Sequence, residues 1–308
     1  MKVMLASDAV EGKIKFPCLA QPKIDGVRAI NMTGTLTGRS LKKHANQHVT
    51  ELFSKDIYKG LDGEMAANGE LHPDLCRLTS SALSTITGFP YVLWHLFDYV
   101  TEETRNLPYL ERYERLVLFT RELGHEGSQL RVVPSYCCSS LSELLTWDNR
   151  WLELGYEGTI VRGPMGLHKE GRSTVREGGL LRIKRPIDAE AEVLEIIEGD
   201  TNTNEAQINE LGLQFRTSHQ EGKVPNGMVG AMICRLLADV VNNGAVLFKA
   251  GDVIKVSAGS MTHGDRQRYF HCPELLIGKI ITFRTFPKGV KDKPRFPTFK
   301  SVRSLTDM

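Results

Sequence analysis

Lys23, Asp25 and Arg28 crowd around Gly26 in the stretch QPKIDGVR, between an apolar run (FPCLA) and an alternating one (VRAINM). A lysine amine that sheds its proton is a nucleophile, and an arginine fork grips phosphate oxygens directionally. Four further charged residues interrupt apolar segments: Glu64 in LDGEM, Asp98 in LFDYV, Glu157 in EGTIVR and Lys184 in LLRIKR. Buried charge is costly unless it is paired, metal-bound or functional, so the set predicts a site at which several strand ends converge. Each member alone has a plainer reading. The lysine string fits an Asp-Gly surface turn, Glu64 the solvent face of a strand, and Asp98 a strand-end acid. EGTIVR equally fits an ordinary strand start, and Lys184 an exposed flank.

The elements that would position these residues follow from periodicity and turn chemistry. VRAINMTGTLTGRS alternates on both sides of Thr33-Gly34, which predicts a hairpin returning to Arg39, near the lysine loop. Val49, Leu52, Phe53 and Ile57 recur at helical spacing, with Gly60 as the expected stop. LDGEMAANGEL predicts a strand and a second hairpin turning at Asn68-Gly69. YVLWHLFDYV, apolar nearly throughout, predicts a strand buried on both faces. Pro108 opens a helix through Leu110, Tyr113, Val117 and Leu123. Ser140 and Glu143 form a capping box for another, stopped at Gly155, and GTIVRG and LLRIKR supply two more strands. After Pro186 the chain turns to short β-rich runs separated by turns such as Pro225-Asn226-Gly227 and Asn243-Gly244, with one polar helix around Thr262 to Phe270. That pattern predicts a small β-barrel, and two domains, residues 1–186 and 187–308.

Taken in order, KIDGVR, LDGE, LFDY, EGTIVR and LLRIKR resemble the nucleotidyltransferase motifs of ATP-dependent DNA ligases. RFPTFKSVR resembles the last motif of that family, and VIKVSAGSMTHGDRQ with CPELLIGKI its barrel domain. The resemblance implies an α+β chain, with an ATP-grasp-like mixed-sheet nucleotidyltransferase domain followed by an OB-fold. It also implies nick sealing through AMP held covalently on Lys23. In that reading Lys23 is the nucleophile, Asp25 orients the nick termini and Gly26 lets the backbone approach the nucleotide. Arg28 and Arg39 capture the nick phosphate. Glu64 contacts the ribose or a metal, Phe97 stacks on adenine, and Gln21 reads the adenine edge. Glu157 is a ligand of Mg²⁺, and Lys184 neutralises the α-phosphate. Arg182 stands where the family has a lysine. The usual Arg-x-Asp-Lys ending is missing, because Ser304 and Leu305 follow Arg303, which leaves Arg295 and Arg303 to orient pyrophosphate. The likeness in size is to the small ligases of phages and large viruses. Lys23 lies so near the start that no N-terminal DNA-binding domain is expected before it.

Basic residues exceed acidic ones by only 39 − 37 = 2, so net charge alone does not announce a nucleic-acid partner. Distribution does. Lys279, Arg284, Lys288, Lys291, Lys293, Arg295, Lys300 and Arg303 face the single acid Asp292 between Gly278 and Arg303, a segment suited to phosphates. Six cysteines form no C-x-x-C pair, which predicts reduced thiols without a zinc site, the adjacent Cys137 and Cys138 pointing to opposite faces of a strand. The start lacks the continuous apolar core of a secretory signal, so a cytoplasmic monomer acting on nicked duplex DNA is expected, with no membrane partner. An RNA ligase and an mRNA capping guanylyltransferase share the lysine motif. A noncatalytic OB-fold binding module would share the basic tail, but has no need of two carboxylates beside two lysines.

Overall fold

A computed structural model of the chain describes residues 2–124, 128–242, 245–287 and 294–303. The chain divides into two compact units, Met1–Lys184 and Arg185–Met308. The first holds two mixed five-stranded sheets. One runs in the order Ser7–Asp8, Leu180–Lys184, Gly158–Arg162, Cys18–Lys23, Tyr136–Cys138. The other runs Leu36–Gly38, Val27–Asn31, Leu61–Ala67, Val92–Tyr99, Leu130–Val132.

The two-residue period of a strand sorts side chains onto opposite faces, and here it separates oil from charge. In the first sheet Cys18, Ala20, Val161, Leu181 and Ile183 pack with Leu144 and Trp151 of the helix Leu141–Leu154. That leaves Gln21, Lys23, Arg162, Arg182 and Lys184 on the other face. In the second sheet Ala29, Leu61, Met65, Trp94 and Leu96 pack with Val49, Phe53, Leu83 and Leu116 from the helices Gln47–Phe53, Leu75–Ser84 and Tyr109–Glu122. Arg28, Asp62 and Glu64 take the opposite face. The polar faces meet: Arg162 of the first sheet reaches Asp98 of the second at 3.4 Å.

Local signals held where one side chain decides the geometry. Ser140 accepts from the Glu143 amide, Glu143 accepts in return from the Ser139 amide, and the helix ends at Gly155 in left-handed conformation. The Thr33-Gly34 hairpin forms, with Asn31 accepting from the Gly34 amide. Three expectations fail. The helix of Val49 and Phe53 stops at Phe53, and Ile57 lies in a separate exposed turn, Asp56–Tyr58, so Gly60 caps nothing. Asn68-Gly69 does turn, but leads into the helix Leu75–Ser84; the partner of Leu61–Ala67 is Val92–Tyr99 instead. The helix opened by Pro108 buries Tyr109, Arg112 and Leu116, leaving Leu110 exposed, because Arg112 is drawn in by a buried acid.

The second unit is a closed barrel in the order Ile187–Asn202, Lys223–Leu236, Val253–Ser257, Arg295–Val302, Ile280–Phe286. The helix His263–His271, capped by Thr262, lies between its third and fourth strands in sequence, the OB-fold arrangement. Val193, Met232, Cys234, Val256, Ile281 and Phe283 fill it. Pro225-Asn226-Gly227 is no turn between strands; it lies within Lys223–Leu236, where the ladder is irregular. Lys300 and Arg284 pair with Asp188, and Arg303 with Glu190, so part of the basic tail is neutralised by the adjacent strand. Lys288, Lys291, Asp292, Lys293, the Asn243-Gly244 turn, Ser304 and Leu305 lie outside the described residues. Cys138 is buried and Cys137 exposed, as alternation requires, and all six cysteines are free. Among the described residues no helix is long and apolar enough to cross a membrane.

Asp98 does not join Lys23. It is buried and receives both Nε (2.8 Å) and Nη2 (3.1 Å) of Arg112 as well as Nη1 of Arg162. Removing one acid from such a cluster strands two buried cations. Asp98→Ala should therefore cost the first unit about 3–5 kcal/mol in urea unfolding; a loss below about 1 kcal/mol would show that the cluster is not a structural keystone.

Candidate active site

Lys23 ends its strand, and register does the rest. Gly158 pairs with Lys23 on one side and with Lys184 on the other, so the two lysines flank one residue of the middle strand. Glu157 immediately precedes Gly158. Its amide donates to the Lys23 carbonyl at 2.9 Å, and its carboxylate bridges Lys23 Nζ and Lys184 Nζ, the latter at 2.5 Å. Gly158 has φ +148°, and a Cβ there would meet the Ile183 carbonyl at 2.3 Å, so only glycine lets the three strands close at this point. Burial raises the pKa of the Glu157 carboxyl, but Lys23 and Lys184 overwhelm that effect and hold it down at about 2.

The second sheet supplies the facing wall. Glu64 lies opposite Arg28 and His95 in the ladder. Burial dominates its titration and lifts it to about 7, although Lys23 and Arg28 pull it down; Glu157 and Asp25 add to the lift. Asp62 pairs with Asp98 but Gly63 with Leu96, which makes Phe97 the extra residue of a β-bulge. The bulge turns the ring out of the second sheet's core and against the cluster of Ile24, Ala66, Leu75 and Val133. Asp25 is half-buried in the loop after Lys23. Gly26 is needed for a closer reason than a ligand: a Cβ there would meet the Met65 carbonyl at 2.1 Å and Glu64 Cγ at 2.9 Å. The lysine loop thus leans on the Glu64 strand.

Of the remaining candidates, Gln21 is buried on the Lys23 face with Nε2 lacking a partner. Arg28 is already engaged: Asp62 holds its fork at 2.7 and 2.6 Å, Nη2 also donates to the Met4 carbonyl at 3.2 Å, and its guanidinium lies 4.8 Å from the Phe97 ring centre. Arg39 is exposed just past Gly38, the residue paired with Ala29, at the Arg28 end of the hairpin. Arg182 donates to Asp8 at 2.6 Å. Arg295, 5.6 Å from the Phe296 ring centre, and Arg303 lie on the barrel, in the other unit. Sequence reasoning missed Asp62 and Arg162. Arg162 is buried 4.4 Å from the Tyr109 ring centre and 5.6 Å from that of Phe97, with Nε unpartnered. Its spacing of four from Gly158 was the available signal, since it puts both on one strand face.

A carboxyl whose pKa is raised on folding stabilises the fold fully below its ordinary value of 4.5, and that stabilisation is lost as pH rises through about 7. Glu64→Gln mimics the protonated acid. It should match the parent at pH 4 and exceed it at pH 8 by up to about 3 kcal/mol. An equal gap at both pH values in urea melts would contradict the burial of Glu64.

Residues 221–303 match the DNA ligase OB-like domain. No curated protein sequence matches the chain. Among solved structures, Chlorella virus DNA ligase-adenylate is 26% identical over 99% of this chain and 98% of its own, with a TM-score of 0.55. A Lig E DNA ligase is 21% identical over 98% of this chain and 99% of its own, with a TM-score of 0.71, a likeness of fold. The chain is thus similar in fold along its whole length to DNA ligases, and in sequence across residues 221–303 to their OB-like domain.

Proposed function

We propose that this enzyme seals 3′-OH/5′-phosphate nicks in duplex DNA with ATP, through AMP carried on Lys23. The observation that carries the reading is the Glu157 carboxylate clasped between two lysines that end the strands on either side of its own, one of them in KIDGVR. Lys23 Nζ, once deprotonated, attacks the α-phosphorus of ATP; an N–P bond forms as the bond to pyrophosphate breaks. The AMP phosphorus then passes to an oxygen of the DNA 5′-phosphate, returning the amine. Finally the 3′-oxygen attacks that 5′-phosphate and AMP leaves. Lys184 stays close enough to neutralise the phosphate while the bond changes hands. Gln21 and the bulged Phe97 suit an adenine, one by its buried amide and the other by its ring.

The two carboxylates are hard oxygen donors and fit Mg²⁺, which commonly completes its shell with water and substrate phosphates. Glu157 and Glu64 would hold it, and when bound it supplies neutralisation of phosphoryl charge. Arg39 would grip the nick phosphate together with Arg28, whose Nε and Nη2 Asp62 holds in place. Arg295 and Arg303 would assist pyrophosphate departure. We further take the protein to act as a cytoplasmic monomer on nicked duplex, supported by its free thiols and a tail suited to phosphates.

Incubation with ATP and Mg²⁺ should add one AMP to the intact mass, and Lys23→Ala and Lys23→Arg should both abolish it, since a guanidinium stays protonated. Adduct formation with GTP instead would indicate a capping enzyme. Glu157→Ala should slow AMP loading by roughly two orders of magnitude or more. Arg39→Ala should load AMP at nearly the parent rate yet join pre-adenylylated nicks poorly; joining at the parent rate would remove Arg39 from nick capture.

A further inference from the structure

Tyr156, Glu70 and His95 form a polar cluster outside the nucleotide chemistry described above. The Tyr156 hydroxyl donates to Glu70 Oε1 at 2.7 Å, and the other carboxylate oxygen, Oε2, lies 3.1 Å from His95 Nδ1. Each partner sits beside a residue of the site. Tyr156 is bonded to Glu157, with its amide held by the Trp151 carbonyl at 2.9 Å and its ring packed on the cluster of Ile24, Ala66, Leu75 and Val133 that also carries Phe97. His95 is buried directly opposite Glu64 in the ladder. Glu70 follows the Asn68-Gly69 turn at the end of the Glu64 strand. One carboxylate thus ties the start of the first sheet's middle strand to two strands of the second.

We propose that Glu70 is a positioning residue: through Tyr156 it sets the Glu157 carboxylate between Lys23 and Lys184, at a fixed separation from the Glu64 wall. This rests on the adenylylation reading above. Glu157 lies only two residues beyond Gly155, the left-handed helix stop, and its strand begins after it. Between these two fixed points the Tyr156 hydroxyl bond is the side-chain tether that resists a shift of the segment. Misplacement of a reacting group by about 1 Å costs up to roughly a hundredfold in rate. The distance of Glu70 from Lys23 along this chain of contacts makes a smaller loss the expectation.

Single-turnover AMP loading at saturating ATP separates a rate effect from a loss of folded enzyme, because the latter lowers only the amplitude. Tyr156→Phe and Glu70→Ala should each slow loading about tenfold with unchanged amplitude and unchanged KM for ATP. The double variant should be no slower than either single one, since both remove one hydrogen bond. Glu70→Gln should restore nearly the parent rate: its amide oxygen accepts from Tyr156, and its nitrogen donates to His95 in the other tautomer. Unchanged rates in both single variants, a loss confined to amplitude, multiplicative losses in the double variant, or a Gln variant as slow as Ala would each overturn the assignment. A parent protein that takes up no AMP would instead overturn the adenylylation reading, and the role of Glu70 with it.

Discussion

A carboxylate held between two ammonium groups is the contact on which the first unit's site is organised. Two unlike charges about 4 Å apart attract by about 4 kcal/mol at the effective dielectric of a partly exposed protein site. Glu157 makes that contact twice, with Lys23 and with Lys184. Without it the two lysines, fixed by strand register on either side of Gly158, would face each other as like charges. The same carboxylate explains its own titration, since burial pushes its pKa up and two neighbouring cations bring it down to about 2.

The second constraint lies deeper. Asp98 holds Arg112 and Arg162, and both arginines stand by the Tyr109 ring. That buried cluster joins the polar faces of the two sheets and backs the bulge that aims Phe97. Gly26 and the Met65 carbonyl lock the lysine loop to the Glu64 strand from the other direction. The site is therefore the seam of two sheets, and its residues are set by register more than by loop conformation.

Much of this was legible in the chain itself, and the boundary is physical. Capping chemistry is local: Ser140 with Glu143 and the Gly155 stop could be read from side chains a few residues apart. Strand alternation is also local, and separated Cys137 from Cys138. What alternation cannot carry is the partner of a strand. Asn68-Gly69 looked like a hairpin turn because the turn chemistry is right, yet the partner strand lies beyond an intervening helix. The ion pair of Arg28 was hidden because its acid, Asp62, comes from a strand 34 residues on. The Phe97 bulge, Asp98's withdrawal into the Arg112 cluster and the packing need for Gly26 are all consequences of such distant pairing. The ordered set of short strings marked the lysines and carboxylates of the site correctly as neighbours, while Asp98, a charge of the same appearance, belongs to the core.

The central claim is that Lys23 of KIDGVR, and not Lys184 across Gly158 from it, is the nucleophile beside Glu157. Peptide mapping of the ATP-treated protein under conditions that preserve a phosphoramidate tests it most directly. The account expects the AMP mass on the peptide containing Lys23 and on no other; AMP on Lys184, or on any residue outside KIDGVR, would contradict it.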